Sequence, residues 1–146
     1  MSDWYSNSEG RFGPTGAKGD LGEQIVDNYC EKRGIPFTVA NDRHSQTVLK
    51  IDCYIDGIPV DVKSNYWNGC LAVELYLKKR NIPGWIFTTK AHQIYGVNIS
   101  TSSIYRYEVE DMLRYVVKNK SKATKTKTGD VIMYVPVTEP FIVKIQ

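Results

Sequence analysis

The chain has 146 residues, enough for one domain with a buried core and too few for two of ordinary size. Its hydrophobic fraction of 42% and charged fraction of 24% exclude wholesale disorder. No apolar run approaches the roughly 18 residues of a membrane span, and residues 1–10 lack the basic-then-apolar order of a signal peptide, so a cytoplasmic location is expected.

Residues 1–18 are rich in Gly, Ser and Thr and read as a flexible lead-in to a single domain over residues 19–146. Gly10, Gly13, Gly16, Gly19 and Gly22 fall at every third place, but with Pro14 as the one proline among them a collagen reading fails. From Asp20, the apolar residues Leu21, Ile25, Val26, Tyr29 and Cys30 recur at helical spacing until Gly34, which predicts a first helix. A short strand over residues 36–40 and a polar loop through Gln46 follow. Residues 48–64 hold two runs of period-two alternation around Asp56-Gly57, a two-residue hairpin signal. That turn sets Ile55 opposite Ile58, Cys53 opposite Val60, Asp52 opposite Asp61 and Lys50 opposite Lys63. Leu49, Ile51, Cys53, Ile55, Ile58, Val60 and Val62 then form an apolar face, and Lys50, Asp52, Tyr54, Asp61 and Lys63 a polar one. After a loop at residues 66–69, a strand over residues 71–77 presents Glu74 on its polar side. Further strands are expected over residues 84–88, 94–99, 130–137 and 141–145, with a second helix over residues 107–118 that turns Val109, Met112, Leu113, Val116 and Val117 inward.

Cys30, Cys53 and Cys70 are odd in number and scattered, so they read as reduced packing residues. His44 and His92 are too few and too far apart for a zinc motif. Chemistry must rest on carboxylates and lysines. Two aspartates directly opposite on neighbouring strands would repel one another. A hard cation held by carboxylate oxygens would relieve that, and a site that keeps waters and borrows substrate phosphate suits Mg²⁺, with Mn²⁺ as substitute. Lys63 projects from the same face. The competing reading is a solvated charge ladder in which each aspartate is neutralised by a lysine.

The formal net charge of +3 is unevenly spread, since residues 112–129 hold Arg114, Lys118, Lys120, Lys122, Lys125 and Lys127 and no acid. Such a run is either a solvated loop or the electrostatic footprint of a phosphate-bearing partner. Tyr66, Trp67 and Trp85 could stack on bases, although aromatic residues near strand ends more often belong to the core.

A helical Glu23, then Ile51-Asp52, then Asp61-Val62-Lys63 on a hairpin follow the order of the PD-(D/E)XK nucleases, whose signature is a helical Glu, an Asp and an acidic-x-Lys triplet. Residues 68–74, Gly84-Trp85 and residues 88–92 are similar to small phage-encoded members of that superfamily, with Ile51 in place of the proline and His92 where an acid is expected. The resemblance implies an α/β fold with a restriction-endonuclease-like core: a mixed sheet flanked by helices, its hairpin carrying the active site. It implies that Asp52 and Asp61 bind the metal, that Lys63 orients water or stabilises charge, and that Glu23 assists with a second ion or water; Glu74 is either a further ligand from the adjacent strand or a solvent-facing carboxylate paired with a lysine. Glu23 has an equal claim to be the partner of Asp20 in a capping box. DNA is the implied substrate, with Lys118, Lys120, Lys122, Lys125 and Lys127 as phosphate contacts. A homing or restriction-like endonuclease and a branched-DNA resolvase both fit, each acting as a homodimer or larger symmetric oligomer. A DNA-binding module without catalysis is the rival from another class.

Overall fold

A computed structural model describes residues 13–40 and 42–146, with side chains from Asp20 onward. The first helix, α1 (Gly13–Arg33), begins well before Asp20, so the expected flexible lead-in is helical from Gly13, and its earlier part lies outside the described residues. Gly34 ends α1 as the turn residue at φ 67°, with Ile35 N–H donating to Cys30 O at 2.9 Å. This is the left-handed closure that glycine accommodates without strain.

The chain continues through β1 (Phe37–Val39) and a short helix α2 (Arg43–Thr47) in the stretch expected to be loop. Asp42 caps α2, accepting from the Ser45 N–H at 2.8 Å and the Ser45 hydroxyl at 2.7 Å. The hairpin β2 (Cys53–Ile55) and β3 (Ile58–Lys63) turns at Asp56 and Gly57, both at positive φ, and pairs Ile55 with Ile58 and Cys53 with Val60 as the sequence requires. A second turn of the same kind, Asn68-Gly69, joins β4 (Tyr66–Trp67) to β5 (Cys70–Leu77).

β6 (Ile82–Pro83) leads into α3 (Trp85–Thr88), a single helical turn where a strand was expected. Packing overrides local preference there: Gly84 lies so close to the Glu74 carbonyl that no Cβ fits. β7 (Gln93–Asn98) pairs with β8 (Ser103–Glu108), and only then does helix α4 (Val109–Lys118) start. Tyr107 therefore belongs to a strand rather than to the helix. Within α4, Val109, Met112 and Val116 are buried as expected, whereas Val117 is exposed. A 3-10 turn (Lys120–Lys122), β9 (Thr124–Lys125), β10 (Val131–Pro136) and β11 (Val143–Lys144) complete the described chain.

Two sheets result. The first has the order β1-β2-β3-β7-β8-β11, antiparallel except for the parallel pair β3 and β7. The second runs β4-β5-β10-β9, with β6 on β5. One face of the first sheet, through Cys53, Ile55, Val60, Val62, Tyr95 and Val97, packs under Val26, Tyr29 and Cys30 of α1. Its other face, through Ile94, Tyr105 and Tyr107, meets Leu71, Val73, Met133 and Val135 of the second sheet and the apolar side of α4. The fold is thus α/β, a mixed sheet flanked by helices. Among the described residues, no helix is long and apolar enough to cross a membrane.

Gly22 sits where α1 presses on the end of β3, and a Cβ there would overlap the Ser64 side chain. Gly22→Ala should therefore lower stability by about 1–3 kcal/mol, as overpacking does. Thermal melts should show part of that loss recovered in Gly22→Ala/Ser64→Gly, which removes the obstruction. A Gly22→Ala protein as stable as wild type would mean that α1 is free to shift off β3.

Candidate active site

The hairpin alternation places Asp61 and Lys63 on the face opposite Val60 and Val62, as expected, but that face is not solvated. The second sheet covers it, and Asp61 is 3% exposed. Directly paired residues share a face, so Asp61, Ile94 of β7 and Tyr107 of β8 form one row across the sheet. Lys63, Gly96 and Tyr105 form the next row.

Asp52 does not simply stand opposite Asp61. Its N–H donates to Val60 O at 2.9 Å, one residue out of step with the Cys53–Val60 pair, and its Oδ2 accepts the Val62 N–H at 2.8 Å. The side chain replaces a ladder carbonyl, which brings the carboxylate against β3 and beside Asp61. The ladder ends there. Lys50 takes a positive φ of 59° and its carbonyl accepts the Thr89 hydroxyl at 3.2 Å, so the expected pairing of Lys50 with Lys63 is lost to a turn.

Burial is the main cause that lifts the Asp52 carboxyl well above the usual carboxylate range, followed by the charge of Asp61, a hydrogen bond with Asp61 and the charge of Glu23; Lys63 offsets only part. Lys63 feels the converse. Burial pulls its ammonium down, but Asp61, Asp52 and Glu74 together outweigh burial and raise it above its ordinary value. Its Nζ lies 3.1 Å from Asp61 Oδ2 and 4.8 Å from the centre of the Trp85 ring, which supports it from the side of α3. The site is therefore two adjacent carboxylates and one protonated amine.

Glu23 reaches this cluster from α1, where it is 6% exposed. Because α1 starts at Gly13, Asp20 and Glu23 lie inside the helix, and the capping-box reading no longer applies. Glu74 stands apart: the alternation that turns Leu71 and Val73 into the core points Glu74 the other way, and its charge raises Lys63 less than those of Asp61 and Asp52. Among the described residues, no three His, Cys, Asp or Glu side chains form a ready-made metal cluster.

Two polar atoms near the pair are buried without a hydrogen-bond partner, Tyr107 Oη in the row of Asp61 and Ser64 Oγ next to Lys63. Buried polar groups are satisfied in the great majority of cases, so both have capacity left for a water or a ligand. Asp61 Oδ2 is held by Lys63 Nζ in an ion pair at 3.1 Å. The Tyr107 phenol is raised well above its usual range by burial and by the Asp61 charge. Neither Tyr107 nor Trp85 was singled out for this neighbourhood by the sequence, because each was assigned to the wrong kind of element.

The thiols stay out of the site. Cys30 and Cys53 are buried and Cys70 partly so, and burial, with the Asp27 charge, pushes Cys30 up to about 11. His92 is exposed, its N–H bonded to Pro59 O at 2.9 Å. Of the aromatic candidates, Trp85 is core, Tyr66 stacks on Tyr105 at 5.8 Å, and Trp67 is 60% exposed against Tyr134. The basic run is ordered rather than a loose loop: Lys118 ends α4, Lys120 and Lys122 lie in the 3-10 turn, and Lys125 pairs with Val131. Lys118, Lys120, Lys122, Lys125 and Lys127 are all exposed.

The chain is similar in structure to a bacterial homing endonuclease, I-Ssp6803I, with a TM-score of 0.51 and 18% identity over 92% of this chain and 84% of that one. At that identity the likeness concerns the fold. No protein-family model matches the chain, and no curated protein is similar to it at a significant level.

Proposed function

We propose that the protein is a divalent-metal-dependent DNA endonuclease of the PD-(D/E)XK type. The observation that carries this reading is the buried Asp61, ion-paired with Lys63 at 3.1 Å, beside an Asp52 whose charged form is disfavoured. A fold shared with a homing endonuclease supports it.

Carboxylate oxygens fit Mg²⁺, which commonly takes one or two protein carboxylates and completes its shell with water and substrate phosphate. Asp52 and Asp61 would hold it, which is why a ready-made three-residue cluster is not required. When bound, Mg²⁺ supplies a Lewis acid and a water of lowered pKa at the scissile phosphate. The chain's own residues do the rest. Lys63 is kept protonated by its carboxylate neighbours and can donate to the attacking water or to the charge developing on phosphate. Trp85 fixes the height of that amine. Glu23 adds a third carboxylate from α1, suited to a second ion or to a water. The exposed lysines from Lys118 to Lys127 neutralise phosphates flanking the cut. Cutting both strands with one site per chain calls for two copies related by symmetry.

Nicking of supercoiled plasmid tests this directly. Wild type should convert it to open-circular and linear forms with Mg²⁺ or Mn²⁺ and not with EDTA, and Asp61→Asn should be inactive. DNA binding without cleavage in either metal would make the protein a binding module that retains the fold.

A further inference from the structure

The second sheet ends in two basic turns that the fold clasps together. One, residues 78–81 between β5 and β6, carries Lys78, Lys79 and Arg80; the other, residues 126–130 between β9 and β10, carries Lys127 and follows Lys125. They are distant in sequence, yet the Lys78 N–H donates to Asp130 Oδ1 at 2.9 Å. Gly129, at φ 91°, is bare on the side where the Lys78 alkyl chain crosses, and a Cβ there would strike it. Within the second turn, Thr126 N–H donates to Asp130 O at 2.8 Å and Asp130 N–H to the Thr126 hydroxyl at 3.2 Å, so the clasping residue is itself held. Lys78, Lys79, Arg80, Lys125 and Lys127 are exposed, and Asp130 is the one acid in the two turns.

The first turn also grows out of the candidate active site. Gly84 N–H donates to Leu75 O at 3.0 Å, closing the β5–β6 hairpin just before Trp85, the ring beneath Lys63.

We propose that these two turns form a single phosphate clamp for duplex DNA, held in register by the Asp130–Lys78 clasp, that grips the backbone beside the candidate active site. The clamp rests on the endonuclease reading and names the surface that positions its substrate. Asp130 is a positioning residue. By charge alone it opposes DNA, so a favourable effect of Asp130 on binding can come only through the geometry it imposes.

The test is fluorescence anisotropy of a labelled duplex in EDTA, so that no cleavage occurs, over a range of salt. Each phosphate contact contributes roughly −0.9 to the slope of log affinity against log salt. Lys78→Ala/Lys79→Ala/Arg80→Ala and Lys122→Ala/Lys125→Ala/Lys127→Ala should each flatten that slope by up to about 3 units. Lys32→Ala/Lys144→Ala, with two charges removed elsewhere, should leave it unchanged. Asp130→Ala should weaken binding although it makes the protein more positive, whereas Asp130→Asn, which keeps an acceptor for the Lys78 N–H, should bind at least as tightly as wild type. The clamp is overturned if the Lys78 to Arg80 triple variant keeps the wild-type slope, or if Asp130→Ala tightens binding as Asp130→Asn does. Wild type that neither binds duplex in EDTA nor nicks plasmid with Mg²⁺ would instead remove the endonuclease reading, and the clamp with it.

Discussion

Lys63→Met is expected to lower the cleavage rate by roughly 10²–10³-fold, the usual effect of removing one donor aimed at developing charge. The amine is held between Asp61 and the Trp85 ring, and methionine keeps most of the stem that packs there. Affinity for duplex should hardly move, because one lysine is worth about one unit of salt slope. Single-turnover cleavage and anisotropy on the same preparation separate these effects. Cleavage within a few-fold of wild type would return Lys63 to the role of neutralising two buried acids. A large loss of affinity with unchanged turnover would make it a binding residue instead.

Divalent metal should raise the melting temperature of wild type, and Asp61→Asn should abolish that response. At a concentration of about 100 times Kd, binding adds roughly 2.7 kcal/mol, or about 5–10 °C for a domain of this size. Without metal, the carboxylate pair works against the fold. Asp52 has its folded-state pKa raised, so the stability it contributes is fully present below the unfolded value, near 4, and is lost as pH rises through the folded value. Metal-free wild type should therefore lose stability as pH climbs above about 4. Asp52→Asn, which can still accept the Val62 N–H, should escape that loss and melt a few degrees higher at neutral pH. Equal stabilisation of wild type and Asp61→Asn by Mg²⁺ would show that the metal binds elsewhere.

The parts of this fold that local chemistry dictates are legible in the sequence. Asp56-Gly57 fixed the hairpin register, and with it the side of β3 on which Asp61 and Lys63 lie. Gly34 marked the end of α1. Elements that depend on distant partners were not legible. β8 reads poorly because Ser103, Ile104, Tyr105 and Tyr107 are all buried, which erases the alternation of a half-buried strand. α3 is too short to show a period, and Trp85 to Thr88 are residues that strands also favour. Asn68-Gly69 carried the same turn signal as Asp56-Gly57, but the two-residue strand before it shows no pattern. At the candidate site, the alternation placed Asp61 and Lys63 on one face of β3, whereas the burial of that face depends on a second sheet drawn from residues 66–136.

The parallel pairing of β3 with β7 has a kinetic consequence. Val60 meets Gln93 and Lys63 meets Gly96 only after the intervening chain has left to build β4, β5 and β6 and returned, so the contact closes a long loop. The cover over Asp61 comes later still, since Met133 and Val135 belong to β10. Contacts of such separation slow folding, because loop-closure entropy is lost before they form. The aspartates thus remain hydrated until nearly the whole chain has assembled, and a nascent or truncated chain has no enclosed carboxylate pair. The enclosed pair arrives with the last strands, and hydrogen exchange should show amides bonded between β3 and β7 gaining protection after the hairpin turn at Asp56 has closed.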